Sequence, residues 1–308
     1  MSLPGAIERT IVAMHGEDGR RWLDDLPRRI AEYERRWDLR VGAPFANLSY
    51  NYVASASGLD GVPAVLKICY GGREVETEMA ALRLANGEGM VRLLQEDPAG
   101  HAMLLQRASP GDMLIDLPDD GEATRIAAGV MTAIWRPAPA DHPFPTVADW
   151  GRGFERMRRR YDGGTGPLPS ELTGRAERLF AELVGTSAEP VVLHGDLHHH
   201  NILRDRDHWL AIDPKGVVGE PAYEIGALMR NRLPPMGDDA AATDVLTRRI
   251  RIVAEATGFD ADRMRRWVIA QALLSIWWSV EDGDETAVNE PFVQDVIRTA
   301  ELLERVTL

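Results

Sequence analysis

The chain has 308 residues, 44% of them hydrophobic, with 35 Lys plus Arg against 48 Asp plus Glu and a formal charge of −13. That length and apolar content can fill a substantial core, arranged as one large domain or two lobes. The acidic balance disfavours nonspecific attraction to nucleic acid or an anionic membrane and favours a cationic small molecule as partner; Cys69, the single cysteine, excludes an intrachain disulfide and a thiolate metal cluster.

The opening segment, MSLPGAIERTIVAMHGEDGRRW, meets acids and arginines before any secretory apolar core develops, so a cytoplasmic protein is expected. Leu26, Ile30, Tyr33 and Trp37 recur at helical spacing and predict an amphipathic helix that packs on something downstream. Strand signals follow in residues 48–57 (LSYNYVASAS) and 62–70 (VPAVLKICY), joined as a hairpin by the turn residues Gly58, Asp60 and Gly61. The segment REVETEMAALRLAN places Val75, Met79 and Leu82 on one helix face and is ended by Gly87 and Gly89. VRLLQEDPAGHAMLLQRA gives two more strands about a Pro98-Ala99-Gly100 turn, after which Ser109-Pro110-Gly111 breaks the pattern.

Beyond that break the chain becomes mostly helical. TRIAAGVMTAIW predicts one helix, ELTGRAERLFAELV a second with Ser170 as its N-cap, and Val268 to Val280 a core helix too short and too polar to span a membrane. A β-rich half followed by an α-rich half is an α+β arrangement of two lobes with a cleft between, divided at residues 108 and 109.

The chemistry concentrates in residues 191–213, VVLHGDLHHHNILRDRDHWLAID. Val191 to Leu193 form a short strand that delivers His194, Gly195 and Asp196 to its end, where a cleft can reach them. Asn201 follows Asp196 by five residues, and a hairpin across RDRD returns Asp213 to the side of Asn201. Two carboxylates and an amide gathered in this way suit phosphoryl transfer: the amide and one acid can hold Mg²⁺, a hard cation that prefers oxygen, and the other acid can orient a hydroxyl. Zinc is the competing reading. The successive His198, His199 and His200 point in different directions, however, and neither HExxH spacing nor a thiolate completes a tetrahedron. His194 reads as a ring hydrogen-bonded to backbone, fixing the loop.

HGDLHHHN followed by AIDP resembles the catalytic and metal loops of the aminoglycoside phosphotransferases. SYNYVA, PAVLKI, VRLL and AIDPKGVVGEPAYEIGAL make the chain similar to the streptomycin 6-phosphotransferase and hydroxyurea phosphotransferase group, over about Asn47 to Glu281. The resemblance implies a protein-kinase-like bilobal fold, with a nucleotide-binding N-terminal lobe (1–108, including the leading helix) and a helical C-terminal lobe (109–308) that carries the catalytic loop and substrate site. It also implies ATP and Mg²⁺ as cofactors, Asp196 as catalytic base and Asn201 and Asp213 as metal ligands. Streptomycin is the first substrate it suggests and hydroxyurea the second. Gly195 stands where protein kinases carry arginine, which suggests that no activation-loop phosphate has to be clamped beside the base.

Only two of the 35 basic residues are lysines, Lys67 and Lys215. With Ala64, Leu66 and Ile68 on the opposite face of its strand, the Lys67 ammonium can reach into the cleft and contact nucleotide phosphates. Glu78 best fits the family's pairing acid, with Glu74 as the alternative. No GxGxxG precedes Lys67; Ser49, Asn51, Ser55 and Ser57 are the small polar residues that could let backbone amides cover phosphates, and Gln106 to Ala108 are expected to form the hinge that bonds adenine. Trp277, Trp278, Glu281, Asp282 and Asp284 suit a cationic substrate as an aromatic wall beside carboxylates, although a tryptophan at that position can equally fill core. Glu220 and Glu224 are further candidates for the cationic substrate, but they read equally as acids at a helix start and are left out of catalysis. A kinase of choline, homoserine or a sugar would keep the same catalytic residues, whereas a non-catalytic nucleotide-binding regulator would commonly lose one of them.

Overall fold

The computed structural model describes residues 5–308 apart from Asn47, Ser49, Ala188, Arg232 and Asp284, so the roles expected of Ser49 and Asp284 lie outside the described residues. The leading helix is longer than its periodicity predicts. Helix α1 (Gly5–Arg36) is broken at Gly16, where φ is 57°, and carries Pro27 within it. It buries Ile7, Ile11, Trp22, Leu23, Leu26, Ile30 and Tyr33 on one side.

What that side covers is a sheet built from β1 (Leu39–Pro44), β2 (Tyr52–Gly58), β3 (Pro63–Ile68), β4 (Leu93–Asp97) and β5 (Ala102–Gln106), with α2 (Arg73–Ala85) between β3 and β4. The strand order is β1-β2-β3-β5-β4, every neighbour antiparallel. Alternation along β3 divides its residues between two layers. Ala64, Leu66 and Ile68 pack with α1 and with Tyr52, Ala54 and Leu104, whereas Val65 faces the main core on the other side. Lys67 shares that second face. Strand β1 had no signal of its own: LRVGAP contains both Gly and Pro, and the segment becomes a strand by pairing Leu39 to Val41 with Ala56 to Gly58. Its presence makes residues 45–51, which include Asn51, the connection between β1 and β2.

The helical region begins after β6 (Pro110–Met113), which pairs with a strand far downstream. Helices α3 (Asp120–Ile134), α4 (Val147–Arg160) and α5 (Ser170–Gly185) lead to β7 (Val191–Leu193). Ser170 is not a cap: α5 starts on it, with Pro169 at the cap position and no side-chain hydrogen bond there. Strands β8 (Ile202–Asp205), β9 (His208–Ala211) and β10 (Val217–Gly219) then precede α6 (Ile225–Leu228), α7 (Asp239–Thr257), α8 (Ala261–Asp282) and α9 (Pro291–Glu304). The strands here form two small sheets, β7-β10 and β6-β8-β9. Helix α8 is the centre of this region, with residues from Val268 through Leu274 buried and α4, α5, α6, α7 and α9 around it. The β-sheet N-terminal region and helical C-terminal region make the protein-kinase-like α+β fold. Among the described residues no helix is long and apolar enough to cross a membrane.

Candidate active site

Lys67 reaches the cleft from β3 and is almost wholly withdrawn from solvent, its side chain 4% exposed. Its ammonium lies 2.6 and 2.8 Å from the two carboxylate oxygens of Glu78 on α2 and also contacts Asp213 Oδ1. Burial opposes the lysine charge, but Asp213 and Glu78 outweigh it and hold the group above the ordinary lysine range. Burial raises the Glu78 carboxyl to about 7 against the pull of Lys67, while Lys67 holds Asp213 well below the usual carboxylate range. A buried ammonium is tolerated only with such partners. The alternative acid, Glu74, pairs instead with Lys215, at 3.3 Å.

The turn after β7 is set by four contacts. The backbone N–H groups of His194 and Gly195 donate to Glu224, at 2.7 and 2.9 Å. The His194 Nδ1 accepts from the Asp196 N–H at 3.2 Å, so the ring proton is on Nε2, which donates to the Ile212 carbonyl at 2.8 Å. Burial lowers that ring to about 4 and keeps it neutral. The Asn201 amide nitrogen donates to the Asp196 carbonyl at 3.0 Å, and the Ile212 N–H donates to the Asn201 carbonyl at 2.9 Å, which brings Asp213 beside Asn201. Asp213 itself adopts a left-handed backbone, φ 64°, a conformation an aspartate tolerates at an energetic cost and one that marks a constrained turn.

Asp213 and Asn201 are the oxygen-bearing side chains of this turn: the Asn201 side-chain nitrogen is engaged by the Asp196 carbonyl, its side-chain oxygen remains as an acceptor, and a hard divalent cation fits that donor set. Among the described residues no cluster of three or more His, Cys, Asp or Glu is placed to hold a metal ion. His199 is fully buried, and His198 lies 3.7 Å from Asp196 Oδ2.

Two glycines make the loops possible. Gly195 has φ 84°, and a Cβ there would lie 2.6 Å from the ring of Trp150, so the position that carries arginine in protein kinases has no room for a side chain. Gly216, φ 66°, would place a Cβ 2.8 Å from the Thr77 carbonyl, where the Thr77 hydroxyl also donates to the Lys215 carbonyl at 2.6 Å. Helix α2 is thus clasped to the segment after Asp213.

Several expected contacts are rearranged. The Gln106 N–H is taken by the Arg92 carbonyl at 2.8 Å, and its side chain accepts from the Arg92 N–H at 3.1 Å and donates to Asp205 at 3.0 Å. Gln106 fastens β5 to β4 and to β8, so its amide is not available to adenine. Ala108 lies buried just beyond it, and Asn51 is half-buried. Trp277 is 1% exposed, edge-on to Tyr161, and forms core rather than cleft wall. Trp278 is the half-buried partner, edge to face with Trp150 at 5.4 Å. Glu281 is held by the Arg156 guanidinium at 2.6 and 2.7 Å. Burial, with Glu281 and Glu74 nearby, raises Asp282 above the ordinary aspartate range.

Sequence reasoning missed Trp150 and Arg230 and set Glu224 outside the chemistry. Trp150 sits on α4, whose capping box, Thr146 with Asp149, is a recognisable start signal. Glu224, read as a helix-start acid, is 1% exposed and turned to the loop instead; burial raises it to about 7 against the two N–H groups it accepts. Arg230, after α6, stands 3.5 Å from Asp196 Oδ1, and nothing local announces it.

Residues 36–283 match the aminoglycoside/hydroxyurea antibiotic resistance kinase family. The chain is similar to the streptomycin 6-kinase of Streptomyces glaucescens, 30% identical over 285 residues covering 92% of each protein. It is also similar to the hydroxyurea phosphotransferase of Kitasatospora aureofaciens, 30% identical over 294 residues covering 92% of this chain and 82% of that one. Among solved structures, a thermostable mutant of an aminoglycoside phosphotransferase in ternary complex with ADP and hygromycin B superposes with a TM-score of 0.63. That pairing has 16% identity and covers 90% of this chain and 99% of the other, which is a likeness of fold.

Proposed function

This chain belongs to the aminoglycoside/hydroxyurea antibiotic resistance kinase family, and from that membership we propose that it transfers the γ-phosphoryl group of ATP, in the presence of Mg²⁺, to a hydroxyl of a cationic small molecule of the streptomycin class. The observation that carries the reading is the bridge of Lys67 to both Glu78 and Asp213. It joins the β-sheet region to the loops of the helical region, and a buried ammonium held by two carboxylates supports a role for Lys67 at nucleotide phosphates and for Asp213 at the metal.

In this account Asn201 and Asp213 would hold Mg²⁺, which would neutralise charge on the phosphates. Lys67, positioned by Glu78, contacts the nucleotide phosphates, with Ala108 and Asn51 as further nucleotide contacts. Asp196 accepts the proton of the acceptor hydroxyl. Glu224 and His194 hold the backbone of that loop, so the carboxylate is in place before substrate arrives.

The acceptor's cationic part is assigned to Trp150 and Trp278, packed edge to face, with Asp282 one helical turn after Trp278 on α8; Glu281 is already neutralised by Arg156. An aromatic face beside a carboxylate attracts guanidinium and ammonium groups, and the net charge of −13 assists their approach. Incubation with ATP and Mg²⁺ against a panel of aminoglycosides, hydroxyurea and common hydroxylated metabolites, with mass detection, tests the reading. A phosphorylated streptomycin-class product supports it; a product only from choline, homoserine or a sugar replaces the substrate and keeps the chemistry.

A further inference from the structure

Arg230 is a nearly buried cation that, among the described residues, has no close anionic partner. Its side chain is 10% exposed, and its closest charged contact is Asp196 Oδ1 at 3.5 Å, the far limit of a hydrogen bond. Burial lowers its pKa, and Asp196 and the Tyr223 hydroxyl offset this only in part. A guanidinium has five N–H donors in a fixed fork suited to carboxylate or phosphate. Removing such a group from water is costly unless an anion with good geometry receives those donors.

Among the described residues, the two lysines near the centre are committed: Lys67 to Glu78 and Asp213, Lys215 to Glu74. The segment that ends in Arg230 is buried from Glu220 to Met229, and its Glu224 fixes the backbone of His194 and Gly195. One short stretch therefore holds the loop by its backbone and sets a guanidinium against its carboxylate.

We propose that Arg230 binds the phosphoryl group while it is in transfer, acting as an arginine supplied in cis. The inference rests on the phosphotransferase reading above. In the step, a bond forms from the acceptor oxygen to phosphorus as the bond from phosphorus to the β–γ bridging oxygen breaks. The acceptor proton passes to Asp196, and ADP leaves with the electron pair. Charge spreads over the three equatorial oxygens of the moving group, and Arg230 offers them the donors that Asp196 leaves unused. The steric exclusion of any side chain at Gly195 gives this role to a residue from outside the loop.

The test is calorimetric binding of ADP with Mg²⁺, and of the same mixture with tetrafluoroaluminate, to wild type, Arg230→Met and Arg230→Lys. We expect Arg230→Met to bind ADP within about twofold of wild type and to lose on the order of 10- to 100-fold in affinity for the fluoroaluminate complex. Arg230→Lys should recover part of that loss. In turnover, kcat should fall about 10²-fold with KM for ATP nearly unchanged. If Arg230→Met fails to fold, Arg230→Gln carries the same comparison. Equal fluoroaluminate affinity in wild type and variant, or no tightening in wild type, overturns the proposal. Absence of ADP binding and of phosphate transfer in wild type overturns the phosphotransferase reading itself.

Discussion

Gly195 and Trp150 approach so closely that a Cβ on the glycine would lie 2.6 Å from the indole. The contact sets the height of the loop against α4 and, through the next residue, the position of Asp196. Gly195→Ala meets both the ring and a backbone with φ 84°. We expect a loss of about 1–3 kcal/mol in urea unfolding and a fall in kcat larger than any change in KM for ATP. Unfolding curves and steady-state rates on the same preparation check both.

The pairing of Lys67 with Glu78 should show as energetic coupling. Lys67→Met leaves the buried Glu78 carboxylate without its cation and should cost about 3 kcal/mol of stability. Replacing both with Met should restore most of it, while neither variant transfers phosphate at more than about a hundredth of the wild-type rate. A double-mutant cycle in urea gives the coupling energy.

Adjacent tryptophans on α8 should respond differently. Trp277 fills core, and Trp277→Ala should cost about 3–5 kcal/mol in stability. Trp278 borders Trp150, and Trp278→Ala should raise KM for streptomycin about tenfold with little change in kcat. Thermal melts and substrate titrations separate the two.

His194 should make its own, separable contribution to the pH dependence of stability, a loss between pH 7 and pH 5 that a variant lacking the ring does not share. Its ring titrates at about 4 when folded and 6.5 when not, so below 6.5 the unfolded state takes up a proton that the folded state refuses. The cost is fully developed only once pH passes below about 4, and at pH 5 relative to pH 7 it is about 2 kcal/mol. Glu78 and Glu224, raised to about 7, act in the opposite sense: their folded forms hold protons that the unfolded forms release, which adds stability as pH falls from 7 toward 4.5. Urea midpoints of wild type and His194→Gln at both pH values isolate the histidine, wild type losing about 2 kcal/mol more than the variant.

The convergence of Asp196, Asn201 and Asp213 was legible because it depends on local chain reversal: a five-residue spacing and a tight hairpin leave few other arrangements. Lys67 was legible for a similar reason, since strand alternation fixes which face it shares. Contacts made across the fold were not. Strand β1 exists through its pairing with β2, and Arg230 reaches Asp196 from 34 positions away. The choice between Trp277 and Trp278 was hidden because α8 is buried on most of its circumference, so hydrophobic periodicity does not mark the side that faces the cleft. Gln106 shows the same limit, its amide being claimed by a neighbouring strand.

Phosphate transfer by Asp196→Asn is the most direct measurement. With ATP, Mg²⁺ and streptomycin, wild type should yield a product heavier by one phosphoryl group, and the variant should form it at least about 10²-fold more slowly while binding ADP as wild type does. Full turnover by Asp196→Asn would contradict the assignment of this carboxylate and of the site built around it.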